Sequence, residues 1–286
     1  MAERLTLPGF VNAHSHAFQR ALRGRTEGGD FWAWRESMLD VAAGLAPEQV
    51  RMDYVDVYLE QLGAGYTAVG EFHYLGLEEA RAAAGAAEEA GIGFVLLYAA
   101  YARGGIERFR QESVAEYLGQ LESLREHGIR VGVAPHSVRA CPRAWLEDLA
   151  RYAEQEGLPL HVHADEQQRE IEECVAEHGV RPVERLCERG IGICIGSDSN
   201  VRIDPLEELR ELEGIARRRT GRRNVVSPDS LLCFGADEGA ASLGLESWSE
   251  IAIDLEHPSL RGVEEQDIFA ALVSGCSAEV LAPLTA

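Results

Sequence analysis

A parallel α/β fold of the (β/α) barrel kind is predicted by three observations. Short apolar runs alternate with helix-like segments along most of the 286 residues, the runs are apolar on both faces, and polar side chains collect where they end. Strands apolar on both faces belong to parallel sheets covered by helices. In a (β/α)8 barrel the C-terminal strand ends carry the active site. The length suits one such domain over residues 1–286.

The elements follow in order. "LTLPGFVNAH" reads as the first strand and leads to a helix around "FWAWRESMLDVAAGL". "GYTAVGEFHY" (65–74) is the next strand, and the Ala- and Glu-rich "LEEARAAAGAAEEAG" is a helix stopped by its glycine. "IGFVLLYAAY" (92–101) precedes a helix over about 112–127, and "IRVGVAPHS" (129–137) precedes "PRAWLEDLARYAEQEG". "LPLHVHADE" (158–166) is followed by the helix "QREIEECVAEHG", and "IGICIGSDS" (191–199) by "DPLEELRELEGIARR". That last helix opens on Asp204 as N-cap, Pro205 in the first turn and Glu207 completing a capping box. Beyond Val226 one or two helices are expected, then an added strand in "EIAIDLEHP" (250–258) and a final helix in "EEQDIFAALVSGCSAEVL". Six strands are clear where a closed barrel has eight, and the shortage falls between Glu166 and Ile191.

Composition narrows the partners. With 27 basic and 48 acidic residues the formal charge is −21, which repels nucleic acid and anionic membranes, so neither is expected. "RRRTGRR" (217–223) reads as a solvated helix end and loop, with a nucleic-acid or anion patch as the outside reading. Six scattered cysteines without a CxxC pair fit reduced thiols. No apolar signal core opens the chain and no run approaches the ~18 apolar residues of a membrane span. A soluble, cytoplasmic protein is expected.

Chemistry-bearing residues gather at strand ends. His14 and His16 in "NAHSHAF" are two apart, so both rings face one side of a strand and can share an ion. Alone, such a pair is as consistent with a hydrogen-bonded strand end. A second pair, His161 and His163, and the carboxylate of Asp198 in "IGSDSN" strengthen the metal reading. Two histidines, a third and an aspartate make a mononuclear zinc-type site with a position open to water. Glu166, three residues after His163, can move a proton to a nitrogen leaving group, or serve as a first-turn acid favoured by the helix dipole. His127 and His178 each precede a glycine at a helix end and are read as helix-terminal residues. His73 has no assigned role, and His257 is placed in a loop.

HxH at the first strand, histidine at the fifth and "SD" at the last resemble the amidohydrolase superfamily. The strings "NAHSHAFQRAL", "FWAWRE", "GYTAVGEFHY", "PHSVRA", "HVHADEQ" and "IGSDSNVRIDPLEELRELE" resemble, within it, the formimidoylglutamate deiminases of histidine degradation. The resemblance runs in blocks from about residue 5 to near the C-terminus. It implies one zinc per subunit on His14, His16, His163 and Asp198, with Asp198 also accepting the water's proton and Glu166 shuttling it. It implies Gln19, Tyr101, His136 and Arg139 around a small-molecule substrate, with Arg35 reaching it from a neighbouring subunit of a homodimer. Arginines suit a substrate with two carboxylates, because guanidinium pairs with carboxylate in bidentate fashion. Read from residues alone, Arg139 could be a structural ion-pair partner, and Tyr101 and His136 hydrogen-bonded core-edge residues.

Three departures from that family stand out. Its accessory β-sandwich is reduced to at most a remnant within 245–260. The stretches after "EGG" and "EFHY" are short. The expected sixth and seventh strands are missing together with a sixth-strand histidine that orients the hydrolytic water, a loss worth ~10²–10⁴ in rate. His161, on the same strand face as His163, is the candidate substitute. Two other outcomes stay open beside zinc-dependent hydrolysis of N-formimino-L-glutamate. One is a deaminase for another amidine or heterocycle, and the other is a non-catalytic or poorly folded zinc-binding remnant.

Overall fold

The structure, a computed structural model, describes residues 4–26, 28–166, 168–179 and 192–283. Its described strands are β1 (Arg4–Pro8), β2 (Phe10–Ser15), β3 (Tyr66–His73), β4 (Gly93–Ala100), β5 (Val131–Pro135), β6 (Glu250–Asp254) and β7 (Leu281–Pro283). They form a parallel sheet in the order β2-β3-β4-β5 and an antiparallel sheet in the order β1-β6-β7. The run read as one first strand is therefore two strands, and the chain changes sheets at Gly9. A Cβ there would lie 2.2 Å from Thr67 Oγ1 and 2.6 Å from the Ser249 carbonyl, so only glycine fits. Trp248 Nε1 donates to the Gly9 carbonyl (2.9 Å), which ties the crossing to the chain that enters β6.

The helices are α1 (Phe31–Gly44), α2 (Pro47–Gly63), α3 (Leu77–Ala90), α4 (Val114–Glu126), α5 (Arg143–Glu156), α6 (Gln168–His178), α7 (Pro205–Thr220), α8 (Pro228–Gly235), α9 (Asp237–Ser242) and α10 (Ile268–Gly275). Helix α2 had no place in the sequence reading, although Val50, Tyr54, Val57, Tyr58 and Gln61 are buried at helical spacing. In α3 the buried positions Ala80, Ala83, Ala86 and Ala87 are all alanine, and Gly91 ends the helix in the left-handed region (φ +78°). The Asp204 side chain accepts from the Leu206 and Glu207 amides as expected of an N-cap. The Glu207 carboxylate, however, pairs with Arg202, so the cap relies on Asp204. Arg217 and Arg218 of the basic run face Glu213 and Glu211, and Gly221 closes the helix, which matches a solvated helix end. No helix among the described residues is long and apolar enough to cross a membrane.

The segments 158–166 and 191–199 were expected as strands; Ile191 lies outside the described residues, and the described residues of the two segments form none. Each meets a neighbour on one side at isolated bridges: Leu160 with Val133 of β5, His163 with Ser137 just beyond β5, and Asp198 with Ser15 of β2. Backbone bonds nevertheless hold both in register, including Val133 N to Pro159 O (2.8 Å) and Ala13 N to Ile195 O (3.0 Å). The sheet curls so that these two outer segments approach one another, giving a partial barrel. Its interior holds Phe72, Leu97 and Leu243; a Cβ on Gly70 would sit 2.5 Å from Leu243 Cδ2. Each such fully buried side chain contributes about 1.5–3 kcal/mol relative to exposure. "EIAIDLEHP" supplies β6 only as far as Asp254, where a turn and a short 3-10 segment (Pro258–Leu260) begin.

Candidate metal centre and active site

Four side chains converge at the C-terminal ends of the sheet. His14 is the penultimate residue of β2, His16 follows the strand, and His163 and Asp198 come from the two outer segments. Their ligand atoms all lie within 4.8 Å of one another. His16 Nε2 is 3.1 Å from both His14 Nε2 and His163 Nε2, and Asp198 Oδ1 is 3.5–3.6 Å from the His16 and His14 rings. Gly196 allows this approach, since a Cβ there would lie 2.7 Å from the His14 carbonyl.

The donor chemistry suits a cation. His16 Nδ1 donates to the Phe72 carbonyl (2.8 Å) and His163 Nδ1 to the His136 carbonyl (3.0 Å). With those protons committed, the facing Nε2 atoms carry lone pairs, and lone pairs 3.1 Å apart repel unless a cation lies between them. Burial, reinforced by the neighbouring imidazoles, holds His14 and His16 well below the ordinary histidine range, so both are neutral ligands at neutral pH. The Asp198 side chain is 67% open to the cavity, yet the enclosing protein pushes its carboxyl up to about 6, with Glu166 adding to the effect. Three imidazoles and one carboxylate match a zinc-type ligand set.

A cavity of about 370 Å³ stands over this cluster, and every residue expected around substrate lines it: Gln19, Arg35, Tyr101, His136, Arg139 and Glu166. Gln19 Nε2 donates to the Tyr74 hydroxyl (2.8 Å), and the Tyr101 and His136 rings lie 4.3 Å apart. Arg139 pairs with Glu166 and stands 3.3 Å from the fully buried Glu170, so its charge is compensated from both sides. Arg35, expected to reach across a subunit boundary, lines the cavity of its own chain from α1. Phe31, Trp34 and Met38 of the same helix and Tyr74 also line the cavity and were missed. The cue for Tyr74 was present: it lies two residues beyond Phe72, whose ring packs on His163 (4.5 Å).

His161, the candidate substitute for the absent histidine, does not line the cavity. Its ring shares the inward direction of His163 but sits one residue pair deeper, with Nε2 2.9 Å from the Ser242 carbonyl. His127 Nδ1 donates to the Ser123 carbonyl at the end of α4, a helix-terminal role as read. Cys187 and most of the stretch before Ile191 lie outside the described residues, as does the His178 side chain. A larger groove of about 840 Å³ opens at the opposite, N-terminal strand ends; among the described residues no metal-ligand cluster lies there.

The buried imidazoles predict acid sensitivity of the metal-free protein. His14, His16, His73, His136, His161 and His163 are all held below the usual range, chiefly by burial. Below about pH 6.5 the unfolded chain therefore binds protons that the folded chain refuses. Their stabilisation is full above that pH and falls as pH drops, by up to about 1.4 kcal/mol per imidazole per pH unit. Glu71 (about 8), Glu208 (about 7), Asp198 (about 6) and Glu170 are shifted upward and act in the opposite sense, but they are fewer. Metal-free protein is expected to melt several degrees lower at pH 5.5 than at pH 7. An equal or higher melting temperature at pH 5.5 would contradict this.

The chain belongs to the amidohydrolase family, whose model matches residues 5–181. It is 34% identical to the formimidoylglutamate deiminase of Pseudomonas aeruginosa, over 82% of this chain and 70% of that protein. It is 32% identical to the 5-methylthioadenosine/S-adenosylhomocysteine deaminase of Natronomonas pharaonis, over 65% of this chain and 43% of that protein. In fold it resembles an adenosine deaminase from Xanthomonas campestris solved with bound zinc, with TM-score 0.83 and 19% identity over 97% of this chain and 78% of the other.

Proposed function

We propose that the chain hydrolyses N-formimino-L-glutamate to N-formyl-L-glutamate and ammonia. The observation that carries this reading is the pair of guanidinium groups, Arg35 and Arg139, in one small cavity above the three histidines and Asp198. A substrate with two carboxylates and a formimino group needs two such cations and a hydrolytic centre beside them. The 34% identity to the Pseudomonas aeruginosa enzyme supports the choice of substrate.

His14, His16, His163 and Asp198 would hold the divalent ion. When bound, such an ion supplies a Lewis acid that makes water acidic enough to serve as a nucleophile near neutral pH. Arg35 and Arg139 fix the carboxylates and so aim the formimino carbon at the centre. A substrate carboxylate competing for Arg139 also frees Glu166 from its ion pair. As water adds to the formimino carbon, Asp198 takes one of its protons and Glu166 relays that proton to the terminal nitrogen. The hydroxyl proton of the adduct then follows the same route to that nitrogen, the carbon–nitrogen bond breaks, ammonia leaves and the carbon keeps oxygen as the formyl group, with both carboxylates returned to their starting state. Since His161 is turned to the Ser242 carbonyl, the rate is expected to fall short of a site that has the sixth-strand histidine. Within this reading β1, β6 and β7 are what the described chain has of the accessory sandwich, and the chain works as a cytoplasmic homodimer.

The deciding experiment compares ammonia release by zinc-loaded protein from N-formimino-L-glutamate, 5′-methylthioadenosine and S-adenosylhomocysteine. Release from the first alone is expected. Preference for either purine would replace the reading with an adenosine-type deaminase, for which the ring-bearing walls Phe31, Trp34 and Tyr74 provide stacking surfaces. Arg139→Met is expected to raise KM for N-formimino-L-glutamate about 10–100-fold, the worth of a charge-assisted hydrogen bond.

A further inference from the structure

We propose that Asn200, Ser15 and Glu71 are positioning residues that hold Asp198 against the three histidines from behind the sheet. The inference rests on the reading of His14, His16, His163 and Asp198 as metal ligands. It concerns what places the fourth of them.

The Asp198 carboxylate does little to place itself. Its side chain is 67% open, and the described groups it meets are the His14 and His16 rings at 3.5–3.6 Å. Its position therefore follows from its main chain. Asp198 and Asn200 both lie in the left-handed region, with φ +49° and +56°. Aspartate and asparagine enter that region more readily than other non-glycine residues, and their partners hold them there. Among the described residues, backbone pairing reaches this segment from β2 alone: Asp198 N to His14 O at 3.0 Å and His16 N to Asp198 O at 2.7 Å.

Besides Arg23 Nη2, which donates to the Asn200 carbonyl (2.8 Å), the turn is restrained by a buried polar network on the far side of β2. Ser15 lies between the two histidines, so strand alternation turns its side chain away from them and toward α2. Asn200 is fully buried, and its Nδ2 donates to the Asp198 carbonyl and to Ser15 Oγ, both at 3.1 Å. Its Oδ1 accepts from Gln61 Nε2 (3.0 Å) and Ser197 Oγ (2.7 Å). Ser15 Oγ in turn donates to Glu71 Oε2 (2.8 Å), and Glu71 Oε1 accepts from the amide of Ala17, the residue after His16 (2.8 Å). Asn12 completes the clamp by exchanging two bonds with Ser197, at 2.9 and 2.7 Å. One connected set of hydrogen bonds thus fixes the turn bearing Asp198 relative to the strand bearing His14 and His16. Hydrogen bonds in a buried, low-dielectric network of this kind reinforce one another, and partners behind a ligand tune metal affinity.

Metal binding tests this directly. Ser15→Ala removes only the bridging hydroxyl, and Asn200→Gly removes the side chain while accepting the positive φ. Both are expected to bind Zn²⁺ and Co²⁺ 10–100-fold more weakly than the unaltered protein, with a changed Co²⁺ visible spectrum in protein that circular dichroism shows to be folded. Ser15→Thr, which keeps the hydroxyl, is expected to restore affinity. Affinities within twofold of the unaltered protein, with the same Co²⁺ spectrum, overturn the proposal, even if melting temperatures fall. Should Asn200→Gly not fold, the milder Ser15→Ala decides. Failure of the unaltered protein to bind either ion overturns instead the reading of the four residues as ligands.

Discussion

Replacing His16 by alanine is expected to abolish stoichiometric metal binding and to lower turnover by at least about 10³-fold, the worth of the several kcal/mol a Lewis acid supplies. Of the three histidines, His16 is the most enclosed, with 2% of its surface exposed. Its Nε2 is the common neighbour of the other two, 3.1 Å from each, and its Nδ1 is anchored on the Phe72 carbonyl inside the sheet. Alanine removes the central donor and leaves that carbonyl without its imidazole partner, so both affinity and ring alignment fail together. Metal analysis after gel filtration and an ammonia-release assay read the two effects separately. Retained metal with retained turnover would show that the cluster is a packed set of core histidines.

Glu166→Gln has the second large expected effect, a fall in kcat of about 10²–10⁴-fold with metal content unchanged. The substitution keeps the shape and an oxygen that can accept from Arg139, but it cannot carry a proton. Glu166 lines the cavity beside Asp198 and pairs with Arg139, which places it between the water side and the substrate side of the site. A proton carrier loses kcat with KM nearly unchanged. A residue that merely neutralises Arg139 would show the reverse, a shifted KM with kcat preserved. Metal loss in this variant would instead make Glu166 a structural support of the histidines.

The parts of this protein legible in its sequence are those where local chemistry and final structure agree. Apolar runs on both faces, caps such as Asp204 and stops such as Gly91 place β3, β4, β5 and most helices because their causes lie within a few residues of the chain. The spacing of two put His14 and His16 on one side of a strand. The same spacing could not separate His161 from His163, because direction is a property of the strand whereas depth is set by what packs above and below. At that depth α9 offers the Ser242 carbonyl, and His161 takes it. Helix α2 was missed although its buried residues keep a helical period, since its interleaved charges blur the apolar stripe. Gly9 also looked like part of one strand, because the clash that requires glycine comes from Thr67 and Ser249.

Sequence by itself pointed to the kind of site: a candidate ligand set of three histidines and an aspartate that the fold brings within 4.8 Å of one another. Only the tertiary structure decided how those residues are held. The clamp behind Asp198 joins Asn12 to Ser197 and Ser15 to Asn200, each pair 185 positions apart, and a lone asparagine or serine carries no periodic signal. Folding brings them together because the sheet curls its two outer segments toward each other. Hydrogen bonds that mean nothing in an open chain then become the buried restraints of a single geometry.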